Sequence, residues 1–204
     1  MLVKITNARV AFPALFEAKS FGDDGKANFG GSFILEPAQK CQAQIGNPDP
    51  AGGTKWEKAG PAETVLADVF KRVSADKWKA QAAAVLKQLT ATDKLALHDG
   101  DLKAQYAGFP GNKYLSASSV TRPVVVDLNR APLVAADGRP YGGSYVNLTV
   151  DIWAQDNKFG KRINATLSGV QFVKDGESFG GGRKGSADDF DDLGEGAEDG
   201  AEIF

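Results

Sequence analysis

The segment LHDGD (97–101) contains the residue types that hydrolytic enzymes use, because imidazole accepts protons and carboxylates hold divalent metal ions. His98 is the only histidine among the 204 residues. Aspartates in and beyond this segment would suit Mg²⁺, as in a nuclease. These candidate ligands are Asp99, Asp101, Asp127 and Asp151. The segment also has the composition of an ordinary surface turn, and no second catalytic motif accompanies it. We expect no enzyme, and a Mg²⁺-dependent nuclease or recombination enzyme stays the alternative.

Cofactor motifs are also missing from the sequence. The glycines at 180–182 precede Arg183 and Lys184, but the spacing of a phosphate-binding loop is absent and no helix is predicted to follow. Cys41 is the only cysteine, so one chain can form neither a disulfide nor a Cys/His zinc site. No stretch approaches the roughly 18 apolar residues of a membrane span. We therefore expect no cofactor, no metal and no membrane contact, and a cytoplasmic protein.

A second chemistry is the binding of unpaired bases, which needs cations for phosphates and aromatic faces for stacking. Aromatic and basic residues interleave in several predicted strands and turns. The candidates are Phe16, Lys19, Phe21, Lys26, Lys113, Tyr114, Arg139, Tyr141, Tyr145, Trp153, Lys158, Phe159, Lys161 and Arg162. Any one of these rings has core packing as its alternative. Tyr114, Tyr145 and Trp153 fall on the polar phase of their strands, so we expect these three to be open.

The two ends of the chain differ sharply in charge. All 24 Lys and Arg and 18 of the 26 Asp and Glu lie in residues 1–186, which leaves that part at +6 and residues 187–204 at −8. A basic body joined to a polyanion is expected where an arm competes with nucleic acid for one groove. A solubilising tail is the alternative. Residues 175–204 are too poor in apolar side chains to form a core, so we predict a Gly-rich joint and a disordered acidic tail.

The hydrophobic pattern predicts a mainly β protein with one helical segment. Apolar residues alternate along 143–154 as in a strand with one buried face, and they recur at helical spacing along 61–90. The predicted strands are 2–12, 28–36, 112–119, 121–128, 143–154 and 161–173, and the predicted helices are 61–73 and 75–90. No βαβ alternation is present, which favours an OB-fold-like antiparallel barrel. We expect this domain to span residues 1–174, with a helical insertion at about 55–90.

Several short motifs occur in a characteristic order between residues 9 and 177. They are RVAFPALFE (9–17), LHDGD (97–101), GNKYL (111–115), RP (122–123), VD (126–127), YGGSYV (141–146) and GVQFVKDGE (169–177). In these motifs the chain resembles the single-stranded DNA-binding proteins of tailed phages, a family long catalogued as a domain of unknown function. The resemblance implies an OB-fold replication protein that coats single strands in the infected bacterial host without choosing sequence. A homo-oligomer is compatible with it.

The end of the chain is similar to the acidic tails with which bacterial and phage proteins of this class recruit replication enzymes. The matching residues are Asp188, Asp189, Asp191, Asp192, Glu202, Ile203 and Phe204. The common bacterial ending places Pro before the final two residues, whereas this chain has Glu202. The resemblance therefore implies a phage polymerase, helicase or recombination protein as partner rather than the usual host enzymes. An acidic-tail interaction protein that binds no DNA is the remaining alternative.

Overall fold

The computed structural model of the chain describes residues 1–20 and 26–180. Its strands are β1 (Leu2–Ser20), β2 (Ala27–Leu35), β3 (Gln42–Pro48), β4 (Thr54–Trp56), β5 (Gly60–Pro61), β6 (Leu97–Asp99), β7 (Lys113–Ser119), β8 (Val124–Val126), β9 (Tyr145–Asn157) and β10 (Gly160–Lys174). Its α-helices are α1 (Ala62–Trp78) and α2 (Ala82–Ala91). No helix in these described ranges is long and apolar enough to cross a membrane.

Five long strands close into a barrel. Antiparallel pairings join β1 to β2 and β9, β2 to β7, and β9 to β10. The parallel contact of β10 with β7, at Thr166 and Ser118, completes the ring. This is the mainly β, OB-fold-like barrel with a helical insertion that the sequence predicts. The insertion lies between β2 and β7 and also carries β3 to β6.

Alternating apolar residues fill the barrel. Along β9, Val146, Leu148, Val150 and Ile152 are each at most 1% exposed. Phe33 of β2 and Leu115 of β7 reach the same core from the other side. Each such side chain contributes roughly 1.5–3 kcal/mol when it leaves water. The residues between them therefore face outward, which is how the barrel can present a polar surface over an apolar interior.

The two helices cover one side of the barrel. Leu66, Val69, Phe70 and Val73 of α1 form one buried stripe, and α1 packs against β3 and β9. The predicted helix break near residue 74 is wrong. The apolar stripe continues to Trp78, which is buried and donates from Nε1 to Asp156 Oδ2 at 2.9 Å. The break comes instead at 79–81, a short 3₁₀ turn.

Two strand predictions also differ from the structure. Strand β3 was not predicted from the sequence, and its central residues Ala43 and Ile45 are buried between exposed or half-buried glutamines. The predicted strand 121–128 shortens to Val124–Val126. Its end is a turn closed by Asp127, whose Oδ1 accepts the backbone N–H groups of Asn129 and Ala131 at 2.8 Å each.

The segment after β10 packs on the barrel. Arg9 donates to the carbonyl oxygen of Glu177 at 2.6 Å, and its guanidinium lies 4.2 Å from the ring centre of Phe179. Phe179 is half-buried against Ala11, Ile34, Phe109 and Tyr114. The sequence predicts a Gly-rich joint and a disordered tail from residue 175, and it gives no sign of this contact between Phe179 and the barrel.

Candidate nucleic-acid interface

A groove of about 780 Å³ crosses the outer face of β2, β7, β9 and β10. We call it the barrel groove. Because outward residues alternate with core residues such as Phe33 and Leu115, its floor is made of short polar side chains. These are Asn28, Ser32, Ser116, Ser118, Asn164 and Thr166. Short side chains leave depth for a ligand, and hydroxyl and amide groups can bond to its polar atoms.

Trp153 of β9 lines one side of the barrel groove. Its side chain is 40% exposed, and Nε1 donates to Thr166 Oγ1 on the neighbouring strand at 3.0 Å. Arg162 of β10 lines the same side. The hydrogen bond fixes the indole while leaving part of it open, which is the arrangement that base stacking needs. Both residues were among those predicted from the sequence.

An aromatic cluster lines the other side. Phe12 and Tyr106 are 42% and 44% exposed, and their ring centres lie 4.9 Å apart in an edge-to-face arrangement. Phe109 is buried beneath them and stacks on Phe12 at 5.8 Å. Phe12 has φ of 50°, a left-handed conformation that costs a bulky residue about 1–3 kcal/mol. The surrounding contacts hold this strained residue beside Tyr106.

Lys103 lies among these rings. Its Nζ is 5.8 Å from the ring centre of Phe12, 5.5 Å from that of Phe109 and 4.6 Å from that of Tyr114. Burial lowers the pKa of Lys103, because a charged ammonium loses hydration there, and the nearby Asp93 carboxylate opposes the shift only in part. A partly dehydrated cation at the mouth of a groove is well placed to meet a phosphate.

Lys94 adds another cation to the barrel groove, and its carbonyl oxygen accepts the backbone N–H of Ile163 of β10 at 3.1 Å. His98 also lines the groove. His98 stacks on Tyr114 with ring centres 5.0 Å apart, and its Nδ1 is 2.8 Å from Asp93 Oδ1. The imidazole therefore packs on the buried Tyr114 ring, which in turn contacts Phe109 of the aromatic cluster.

The aspartates that suggested a Mg²⁺ site shape the chain locally. Asp99 accepts the backbone N–H of Asp101 at 3.0 Å, and Asp101 accepts that of Gly111 at 2.8 Å. Asp127 closes the turn after β8, and Asp151 pairs with the N-terminal ammonium group at 2.7 Å. Within residues 1–20 and 26–180, no three His, Cys, Asp or Glu side chains come together as metal ligands.

The prediction that Tyr114 is open is wrong, because the residue is only 5% exposed. It pairs with His98 of β6, and its ring packs against Phe109 at 5.0 Å between ring centres. Burial raises the pKa of the Tyr114 hydroxyl. The alternation along β7 correctly predicts that this ring lies on the outer face of the strand. Alternation within one strand cannot show that the segment after α2 covers that face and buries the ring.

Four other predicted residues lie outside the barrel groove. The Tyr145 ring is half-buried under Lys174 Nζ at 4.5 Å, with its hydroxyl donating to Glu36 Oε2 at 3.0 Å. The other three predicted residues, Arg139, Tyr141 and Lys113, also contact partners outside the barrel groove. Arg139 lies 3.3 Å and the Tyr141 hydroxyl 2.9 Å from the Asp175 carboxylate, and Lys113 is 2.8 Å from Glu63.

The β1–β2 hairpin borders the groove. Lys19 and Lys26 are exposed, and Lys19 pairs in register with Asn28 of the groove floor. Phe16 is half-buried against the barrel core beneath the guanidinium of Arg122, 5.3 Å from its ring centre. Phe21 lies outside the described residues, as do the tail positions Asp188, Asp189, Asp191, Asp192, Glu202, Ile203 and Phe204.

The turn between β9 and β10 extends past the end of the groove. Phe159 is 78% exposed at its tip, with Lys158 Nζ 5.1 Å from its ring centre. Neither side chain lines the barrel groove. Lys161 forms an ion pair with Asp156 and lies 5.7 Å from the ring centre of Trp78.

Two aromatic rings and two lysines of the barrel groove were not predicted from the sequence, namely those of Phe12, Tyr106, Lys94 and Lys103. A signal was present for part of this set, since Lys103, Tyr106 and Phe109 follow each other at intervals of three residues. That spacing puts side chains on one side of a 3₁₀-like turn. No sequence signal marked Phe12, because an ordinary buried strand would contain the same motif.

Comparison with known proteins gives one consistent relationship. The family model described as the ssDNA-binding protein of Enterobacter phage Enc34 matches residues 63–201, well over half of the chain. Putative protein p50 of Acyrthosiphon pisum secondary endosymbiont phage 1 is 37% identical over 195 residues, which are 95% of this chain and 94% of that protein.

Solved structures agree with the family match. The single-stranded DNA-binding protein from bacteriophage Enc34 in complex with ssDNA is similar with a TM-score of 0.68 and 25% identity, over 88% of this chain and 89% of that one. Another structure of the Enc34 protein gives a TM-score of 0.64 and 26% identity, over 93% and 90% of the two chains.

Proposed function

The chain belongs to the family of the phage Enc34 ssDNA-binding protein, a class of non-enzymatic single-stranded DNA-binding proteins, and from this we propose that it coats single strands during phage DNA replication and recombination. The place of action is the cytoplasm of the infected bacterial host. The observation that carries the proposal is the barrel groove, whose two sides present open aromatic rings and cations over a polar floor.

In this proposal unpaired bases stack on Trp153 and on the pair Phe12 and Tyr106. Lys103 and Arg162 contact the phosphates, with Lys94 beside them, and the hairpin lysines 19 and 26 extend the cationic path. Stacking accepts every base, because each has a π face, and short hydroxyl side chains on the floor add little discrimination. The binding is therefore independent of sequence.

The test is the affinity of Trp153→Ala for oligo-dT, measured by fluorescence anisotropy. Loss of one stacked base should cost about 1–3 kcal/mol of binding free energy with an unchanged melting temperature. Trp56→Ala is the matched control, since Trp56 of β4 is half-buried outside the groove with Lys4 Nζ 4.5 Å from its ring centre. Unchanged affinity of Trp153→Ala would remove this residue from the interface. Mg²⁺-dependent cleavage of the oligonucleotide would instead favour the nuclease alternative.

We also propose that the acidic tail, residues 187–204, competes with DNA for the barrel groove. Phe179 packs against Phe109 of the aromatic cluster, so the chain leaves the barrel close to the groove. The 24 residues that follow position 180 can span up to about 80 Å when extended, at roughly 3.3–3.6 Å per residue. A tethered polyanion with that reach is a strong local competitor for a phosphate backbone.

Removing residues 187–204 should tighten binding to oligo-dT, most clearly at low salt, where charges are least screened. A full-length chain with the eight tail carboxylates replaced by amides separates charge from length and should behave like the truncated one. Equal affinities of the intact and truncated proteins at low salt would refute competition.

The last part of the proposal is that DNA displaces the tail, which then recruits a phage or host replication or recombination protein. Phe204 would be the apolar anchor and the carboxylates the guide toward a basic pocket. Phe204→Ala should leave oligo-dT affinity unchanged while it weakens capture of a phage polymerase, helicase or recombination protein. Phe190→Ala is the control for an aromatic elsewhere in the tail. Loss of DNA binding in Phe204→Ala would contradict this role.

A further inference from the structure

The tip of the β9–β10 hairpin is an exposed aromatic residue with basic neighbours. Phe159 is the most exposed aromatic side chain in the described part of the chain, at 78%. Lys158 lies beside its ring, with Nζ 5.1 Å from the ring centre. The acidic residue nearby, Asp156, is already paired with Lys161. We call residues 157–160 the hairpin tip. An apolar ring this exposed is unusual on a surface that meets only water.

A second groove, of about 1080 Å³, lies between α1, α2 and the segment 93–102. We call it the helix groove. Its apolar lining includes Phe70, Leu86, Leu95, Leu97 and Leu102. Leu102 is 62% exposed. The acidic lining residues are Glu63, Asp68, Asp93, Asp99 and Asp101. Glu63 pairs with Lys113 and Asp68 with Arg72, so the excess negative charge lies at Asp93, Asp99 and Asp101. The helix groove therefore suits an occupant that is apolar at its tip and basic around it.

The hairpin tip lies beside the C-terminal end of α1, whereas the helix groove is lined by α1 residues from Glu63 to Lys71. Trp78 at the C-terminal end of α1 bonds to Asp156 beside the hairpin tip. Glu63 at the N-terminal end lines the helix groove. The hairpin tip does not fill the helix groove of its own chain, because Phe159 is 78% exposed and does not line that groove.

We propose that Phe159 of one copy docks in the helix groove of the next copy when the protein coats a single strand. Lys158 would then face the carboxylates around the groove, and the ring would cover its apolar floor. The contact joins two different surfaces, so it does not close into a symmetric dimer but repeats head to tail. This inference rests on the proposed coating function.

The position of the helix groove fits such a chain of copies. Asp93 and His98 line both the helix groove and the barrel groove. The hairpin tip likewise lies between Trp153 and Arg162 in the chain, and both of these residues line the barrel groove. Docking would thus place the barrel grooves of successive copies next to each other, so that one strand can pass from copy to copy. DNA also raises the effective concentration of neighbours, which lets a small contact matter.

The experiment compares two lengths of oligo-dT, because a strand long enough for only one copy reports the barrel groove alone. OB folds occupy about 4–16 nucleotides, so strands of about 10 and about 60 nucleotides serve, with the stoichiometry checked by titration. Phe159→Ala should weaken binding to the long strand at least about tenfold and leave the short-strand affinity unchanged. Phe159→Leu keeps an apolar tip and should retain most of the long-strand affinity.

The acceptor variant is Leu102→Lys, which places a cation in the helix groove without changing the barrel core. It should reproduce the Phe159→Ala result. Leu128→Lys is the matched control, because Leu128 is 61% exposed but lies outside both grooves. A mixture of Phe159→Ala and Leu102→Lys retains one intact tip and one intact groove. On a strand that holds two copies, the mixture should restore pairwise cooperativity that neither variant shows alone.

Three results would overturn the inference. Weaker binding of Phe159→Ala to the short strand would mean that Phe159 contacts DNA. Unchanged long-strand binding by either variant would mean that the contact is absent. Failure of the mixture to restore pairing would mean that the two surfaces do not meet. Failure of the proposed function would look different, since the unmodified protein would then bind neither strand.

Discussion

Lys103 shows how the site depends on a side chain that the fold removes from water. Its ammonium group lies among the rings of Phe12, Phe109 and Tyr114, and this burial lowers the pKa of Lys103. The charged form predominates below the lowered pKa and is lost as the pH rises through it. A bound phosphate would favour the charged form again, so binding should raise this pKa and take up protons in that range.

We therefore predict that affinity for oligo-dT falls as the pH rises, starting below the pH range in which ordinary lysines lose their protons. Lys103→Arg should remove this early decline, because guanidinium stays charged. The measurement is the dissociation constant at constant ionic strength across that pH range. Lys55→Arg, on exposed β4, is the control and should follow the unmodified protein. Parallel pH profiles for Lys103→Arg and the unmodified chain would contradict the prediction.

At the scale of elements, the segment 97–112 brings Lys103 and Tyr106 to the barrel groove. Gly100 is needed where this segment crosses itself, since its N–H donates to the Asn112 carbonyl oxygen at 2.8 Å. A Cβ at position 100 would lie 2.1 Å from the Phe109 oxygen and 2.4 Å from the Asn112 oxygen. Both contacts are with backbone, so the segment would have to move.

Gly100→Ala should accordingly lower the free energy of unfolding by about 1–3 kcal/mol and weaken oligo-dT binding as well. Thermal melting and anisotropy on the same samples would measure both effects. The control is Gly142→Ala, whose added methyl carbon would meet nothing nearer than 3.8 Å. Normal stability together with normal affinity in Gly100→Ala would show that the segment tolerates the shift.

The elements also show what the sequence can and cannot predict. The strand alternation along 143–154 and the helical stripe from Leu66 to Val73 reflect local periodicity, and both elements were placed correctly. The exposed position of Trp153 could be predicted, because an aromatic side chain on the polar phase of a strand seldom belongs to the core. Phe12, Tyr106 and Lys103 become a site only when separate segments meet. That meeting depends on long-range packing, which local periodicity does not encode.

At the scale of the whole molecule, the cations of the barrel groove should determine how binding responds to salt. Each phosphate contact on a single strand contributes about 0.7 to the slope of log affinity against log salt. Arg162→Gln should reduce the slope by roughly that amount. Lys55→Gln removes a charge on β4, outside the groove, and should leave the slope unchanged. An unchanged slope for Arg162→Gln would exclude this residue from phosphate contact.

The positive φ of Phe12 affects stability, because every residue other than glycine is strained in this conformation. Glycine adopts this conformation freely whereas alanine is strained by it, so the usual order of the two residues should reverse here. We predict that Phe12→Gly melts at a higher temperature than Phe12→Ala, a difference of roughly 1 kcal/mol in the free energy of unfolding, although both lose the ring proposed to stack on bases. The same melting temperature for the two variants would argue against strain. Among variants that lack this ring, a selection for thermal stability alone would therefore favour glycine over alanine, and it would be blind to the missing aromatic face.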